Sequence, residues 1–179
     1  MLVEYKKLDN KWKATRQIVA NVDEEIQTKG FAVASTDEQD QGLLISGGED
    51  SKGEASDKTF IFNIVTKKMV RFSPLSVARS YHSSIRSGKR VFVFWGKDGS
   101  KMIDSIEEVD EVKLEYGLFE RLPRWLSPAA TYSGCFKSLV MLISPTEILV
   151  AGGQTDDEGN MTSKAFIMES QDFLTVAEF

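Results

Sequence analysis

This sequence predicts an all-β chain built from a repeated unit of four short strands, and three observations carry that prediction. An apolar run that stops on small residues occurs as Gly42-Leu43-Leu44-Ile45-Ser46-Gly47-Gly48. It recurs as Arg90-Val91-Phe92-Val93-Phe94-Trp95-Gly96 and as Glu147-Ile148-Leu149-Val150-Ala151-Gly152-Gly153. The last glycines stand 96 − 48 = 48 and 153 − 96 = 57 residues apart, a period that marks repeat architectures. Each run is followed by a polar loop and then by two more segments rich in β-formers and bounded by turn residues.

In order, Leu2 to Tyr5 alternates like a strand, and Asp9-Asn10-Lys11 reads as a turn leading to Trp12. Ile18, Val22 and Ile26 recur every fourth residue and stop at Lys29-Gly30, which suits a short helix as well as an irregular connection. The first unit then has strands at Gly30 to Ser35, Leu43 to Ser46, Thr59 to Ile64 and Met69 to Phe72, with Glu49 to Lys58 as its loop. The second has Tyr81 to Arg86, Val91 to Trp95, a strand between Ile103 and Leu114, and Phe119 to Leu122 before Pro123. The third runs through Gly134 to Leu142, Glu147 to Ala151, Lys164 to Met168 and Phe173 to Val176.

Ser105 to Tyr116 carries two conflicting signals. Ser105-Ile106-Glu107-Glu108 matches a capping box, and Ile106, Val109 and Val112 follow at helical spacing. Its register, between a glycine stop and an aromatic-Leu-Pro ending, predicts a strand.

The apolar run, glycine stop, polar loop and spaced aromatic pair together resemble the kelch repeat. Gly47-Gly48 and Gly152-Gly153 carry the stop, with Trp95-Gly96 in the middle unit. The aromatic pair is Tyr5 and Trp12, Phe166 and Phe173, with Phe62 and Met69 in the first unit and Val109 and Phe119 in the second. The family's Arg and His-Ser element is similar to Arg79 and His82-Ser83, with Ala129 and Tyr132-Ser133 in the corresponding place of the third unit. This resemblance implies an all-β, kelch-type β-propeller, with about three complete four-stranded blades at residues 30–75, 79–123 and 131–177. Residues 1–17 would add two strands of a broken blade. The aromatics Tyr5, Trp12, Phe62, Phe119, Phe166 and Phe173 would fill the wedges between sheets. Three and a half blades are fewer than such rings usually hold, so further blades or self-association are expected to complete the assembly.

The net charge of −5 favours neither nucleic acid nor acidic membranes as partners. One cysteine, Cys135, and no signal-peptide pattern at Met1 to Tyr5 predict a reducing, cytoplasmic setting. His82 is the sole histidine, so neither a zinc site nor a Ser-His-Asp triad is expected, and a structural hydrogen bond is the better role for it. The run from Gly48 to Gly53 opens like a phosphate loop, but Glu54 and Ala55 occupy the places of the required Lys and Ser/Thr. Asp156 to Asn160 lacks the ligand spacing of a calcium loop. No cofactor and no metal are expected.

These readings predict a non-enzymatic protein–protein interaction module that binds another protein through loops on one rim. The candidate binding residues are Arg79, Tyr81, His82, Tyr132, Asp50, Asp98 and Asp157, carried on loops at equivalent places in the repeat. The alternative is an enzyme (oxidase, lyase or hydrolase) with a central site that uses the loop carboxylates Asp50, Asp98 and Asp157. Fold alone does not separate the two.

Overall fold

The structure is a computed structural model that describes residues 2–18, 29–36, 41–110, 136–156, 158–169 and 175–178. Among them there is no helix, and every strand pairing is antiparallel. The expected helix within Ile18 to Lys29 lies almost wholly outside the described residues, as does the expected strand Phe119 to Leu122.

Strands β1 (Leu2–Leu8) and β2 (Lys11–Ile18) form a hairpin whose turn residues Asp9 and Asn10 both take positive φ, 51° and 58°. That left-handed pair matches the right-handed twist of the flanking strands, and Asp and Asn adopt it at little cost. The first repeat unit is the meander β3 (Ala32–Ser35), β4 (Gly42–Ser46), β5 (Thr59–Asn63) and β6 (Met69–Phe72), hydrogen-bonded in that order. The second contains β7 (Ser83–Ser87) and β8 (Arg90–Phe94). A small hairpin follows, β9 (Lys97–Asp98) with β10 (Lys101–Met102), and then β11 (Ile106–Asp110), with β8 central in its sheet. The third is β12 (Leu139–Leu142), β13 (Glu147–Ala151), β14 (Ala165–Glu169) and β15 (Thr175–Glu178), again in sequence order. The capping-box segment is therefore strand over Ile106 to Asp110, paired residue for residue with β8. Tertiary pairing overrides a helical pattern that no helix partner supports.

The three units are equivalent bond by bond. After each second strand the chain turns through Gly47, Trp95 or Gly152 (φ 56°, 51° and 63°) and then Gly48, Gly96 or Gly153 (φ 108°, 103° and 115°). The first residue of each pair donates its N–H to the residue just before the third strand, at Lys58, Ser105 and Lys164. The second accepts from Ser56, Ile103 and Thr162. Each unit also begins with a residue bridged to the one after that turn: Lys29 to Glu49, Ser80 to Lys97, and Phe136 to Gln154. By this register His82 matches Ser138. The expected correspondence of Tyr132-Ser133 to His82-Ser83 is thus displaced, and Tyr132 itself lies outside the described residues.

Successive sheets lie face to face, with β7 alongside both β3 and β12. Ala34 and Leu44 of the first unit meet Val91 of the second. Phe92, Phe94, Trp95 and Ile106 of the second meet Ile148, Val150, Phe166 and Met168 of the third. Strand β8 is covered on both sides, and its residues Val91 to Phe94 are all buried. Phe166 is buried between the second and third sheets as expected, and Phe62 is buried among Ile45, Phe60 and Met69 of its own sheet. Trp12 is not: it stands on the β1–β2 hairpin and is 70% exposed.

Two glycines in the same structural position separate conformational strain from steric fit. At Gly47 a Cβ would collide with the carbonyl oxygen of Arg79 and come within 2.6 Å of His82 Cε1, both from the neighbouring unit. At Gly152 the nearest atom to such a Cβ is Thr162 O at 3.7 Å. Gly152→Ala should cost about 1 kcal/mol, the left-handed backbone penalty alone. Gly47→Ala should cost at least ~3 kcal/mol, because the Arg79 backbone must also move. Chemical denaturation of the two variants checks the difference, which vanishes if the units are not packed this way.

Candidate functional site

The bridges that open each unit lie at one end of the sheets, and they place three left-handed residues in a row. Gly30, Tyr81 and Lys137 follow the bridged residues with φ of 68°, 54° and 58°. They are joined in relay: Tyr81 N–H donates to Gly30 O at 2.7 Å, and Lys137 N–H donates to Tyr81 O at 2.9 Å. Only glycine takes this conformation without steric cost. The second and third units nevertheless carry Tyr and Lys there.

Their side chains meet. The Tyr81 ring tilts against Phe136 with 6.4 Å between centroids. Lys137 Nζ stands 5.1 Å from the Tyr81 centroid and 5.3 Å from that of Phe136, and it donates to Gln154 Oε1 at 3.0 Å. Lys97 Nζ stands 5.7 and 5.3 Å from the same two rings. All four separations are within the range of cation–π attraction. On the other side of Tyr81 the buried carboxylate of Glu49 accepts from Ser80 Oγ at 3.2 Å and Tyr81 OH at 3.4 Å. It also pairs with Lys29 Nζ at 3.0 Å, a contact that raises the Lys29 pKa. The result is an end face of aromatic rings and ammonium groups, with one carboxylate tucked beneath it. Phe136 is buried, Tyr81 and Lys97 are half-buried, and Lys29 and Lys137 are exposed.

Of the residues singled out in the sequence that the structure describes, Tyr81 alone stands at the centre of this face. Arg79 is fully buried instead of lying on a rim. Its guanidinium donates to Val77 O, Trp95 O, Ser105 O, Ser105 Oγ and, at 2.6 Å, to Glu107 Oε1. His82 is also buried, because the Gly47 turn and Ser46 of the first unit close over it. Its Nε2 shares a 2.9 Å hydrogen bond with Ser46 Oγ, which in turn lies 3.2 Å from Ser84 Oγ. Asp50 spends its carboxylate on its own turn, accepting from the backbone N–H of Glu54 and Lys52. Those bonds, the Glu54 one foremost, lower its pKa. Asp156 does the same with Asn160. Asp98 is exposed on β9, and Tyr132 and Asp157 lie outside the described residues.

Sequence reasoning pointed to the loops that carry Glu49, Lys97 and Gln154 but not to those side chains, and it missed Lys29, Phe136 and Lys137. The signal was positional: all sit at or beside the bridge of their unit. Among the described residues, no group of three or more His, Cys, Asp or Glu side chains converges, and no helix is long and apolar enough to cross a membrane. What the end face offers is recognition chemistry, charge and π-surface held on stiff strands. No protein-family model matches the chain, and no curated protein matches it.

Burial makes His82 a pH-sensitive element of the fold. Desolvation first, and then the nearby Arg79 charge, push its pKa down to about 3. The unfolded chain, with an ordinary imidazole, therefore binds the extra proton between about pH 6.5 and 3. Stability should be fully present above pH 6.5 and fall with decreasing pH by up to ~1.4 kcal/mol per unit across that window. Comparing the urea midpoints of wild type and His82→Asn from pH 7 to 4 isolates this contribution, and parallel curves would refute it. Arg79→Met should cost about 3–5 kcal/mol, since it strands the Glu107 carboxylate and the carbonyls of Trp95 and Ser105. The same denaturation measurement at pH 7 checks it.

Proposed function

We propose that this chain is a non-enzymatic interaction module of the kelch-type β-propeller kind, and that it docks another protein on the end face built around Tyr81. The observation that carries the reading is the convergence of Tyr81, Phe136, Lys97 and Lys137 from two different repeat units at one end of the sheets. Two of these groups, Tyr81 and Lys137, hold left-handed backbone where glycine would be easier, so their side chains are kept for what they present. Aromatic rings beside cations are the residue types that dominate protein recognition when a rigid scaffold fixes them. Half-buried Tyr81 brings its ring without a large ordering cost, and the exposed Lys137 ammonium is anchored by Gln154.

The test compares two charge reversals. Lys97→Glu/Lys137→Glu alters the end face, whereas Lys67→Glu/Lys68→Glu alters the β5–β6 turn at the opposite end of the first sheet. Protein capture by tagged chain, quantified by mass spectrometry, should drop about tenfold, equivalent to ~1.4 kcal/mol, for the first pair and stay unchanged for the second. Both variants should melt within a few degrees of wild type. Equal capture by all three proteins would refute the assignment of this face.

A further inference from the structure

We propose that the seam between the first and second sheets opens in acid, parting around His82 while the second and third sheets stay packed. The two junctions differ in what they are made of. Between the second and third sheets eight buried apolar side chains, four of them aromatic, form one cluster. Between the first and second the buried apolar cluster is Ala34, Leu44 and Val91, edged by Ile61 and Phe72. The rest of that seam is polar and bonded across. Gly48 N–H donates to Arg79 O, and Tyr81 N–H donates to Gly30 O. Ser46 Oγ bonds His82 and lies against Ser84 Oγ, while Glu49 accepts from Ser80 and Tyr81. Such groups exchange a protein partner for water at small net cost, whereas parting the aromatic cluster exposes apolar surface with nothing to offset it.

His82 makes this seam sensitive to protons. Its ring belongs to the second unit but is enclosed from the first, by Ser46 and the Gly47 turn. Nε2 is bonded to Ser46, and Nδ1 is buried with no partner among the described residues. A ring nitrogen left unpaired away from water is costly, and opening the seam hydrates it. The charged groups around the ring are Arg79, tied to Glu107, the Glu49–Lys29 pair of the first unit, Lys97 beyond Gly96, and Lys137 of the third unit. No carboxylate among the described residues bonds the imidazole, and burial followed by the Arg79 charge disfavours its protonated form. Parting the sheets removes the burial, so the open form takes up a proton in the ordinary imidazole range and the closed form does not. The opening constant should therefore be flat above pH 6.5 and rise toward about tenfold per pH unit below it. Gly30 and Glu49 hold Tyr81 across the same seam, so opening also takes the end face apart.

Thiol labelling of the folded full chain from pH 7 to pH 5, above the ordinary carboxylate range, tests this. Single cysteines are placed in a Cys135→Ser background, and circular dichroism verifies each fold. Ala34→Cys and Val91→Cys report on the two sides of the seam, and Val150→Cys reports on the second junction. Rates are taken relative to a free thiol at the same pH. At pH 5, Ala34→Cys and Val91→Cys should react at similar rates, at least tenfold faster than Val150→Cys. Both should accelerate about 25-fold between pH 7 and pH 5. Adding His82→Asn or His82→Gln should abolish that acceleration. Equal protection of all three positions, fast labelling of Ala34→Cys alone, or an acceleration that survives both His82 substitutions would each overturn the proposal. The assay reads the seam and not what the end face binds, so it fails separately from the docking assignment.

Discussion

The fold depends first on a single buried cation. The backbone of Arg79 belongs to the first unit as much as to the second, since its carbonyl accepts from Gly48 N–H and its N–H donates to Ser56 O. Its side chain belongs wholly to the second unit, where it reaches the ends of β8 and β11 through Trp95, Ser105 and Glu107. A guanidinium has five N–H groups, and each finds an acceptor, which is the condition for holding such a charge away from water. Glu107 completes the arrangement by also accepting from Ser76 and Val77 N–H, so the strap leading into the second unit is tied to the same carboxylate. The tight turn at Gly47, the burial of His82 and the placement of Ser80 and Tyr81 all follow from where this residue fixes the chain.

From that anchor, layer packing decides what each strand can be. Strand β8 has a neighbour on either side and is apolar at every central position. Strand β13 occupies the same place in its unit, yet it alternates, with Ile148 and Val150 buried and Leu149 and Ala151 only half so. The difference lies in the neighbours and not in the strand. Hydrophobic content alone marks both as interior strands, whereas the burial pattern records on which side each has company.

Much of the architecture was legible in the sequence. Glycine stops at a steady period are a backbone property, written directly into residue identity, and the three turns hold equivalent dihedrals even where Trp95 replaces glycine. The strand at Ile106 to Asp110 was readable only by its place in the repeat, because its local pattern is helical. Less visible was the register of the third unit. Tyr132-Ser133 matches His82-Ser83 in composition, but equivalence follows the bridge at Phe136, which no residue type announces. Arg79 and His82 were also placed on a rim, since polar residues beside a glycine turn look exposed in one dimension and are enclosed once two sheets close on them; the structural hydrogen bond expected of His82 is the one it shares with Ser46. The end face was the hardest to read. Its lysines, Phe136 and Gln154 form no motif, and only folding brings Lys97 and Lys137 to the same pair of rings.

The row formed by Gly30, Tyr81 and Lys137 sets folding and surface chemistry against each other at the same three backbone sites. Glycine at all of them would relax the dihedrals and strip the Tyr81 ring and the Lys137 ammonium from the end face. Variation there should thus trade thermal robustness against what the face displays, one unit at a time, while the sheets behind it remain as they are. A scaffold with its adjustable positions confined to one row can diversify its surface without renegotiating its core.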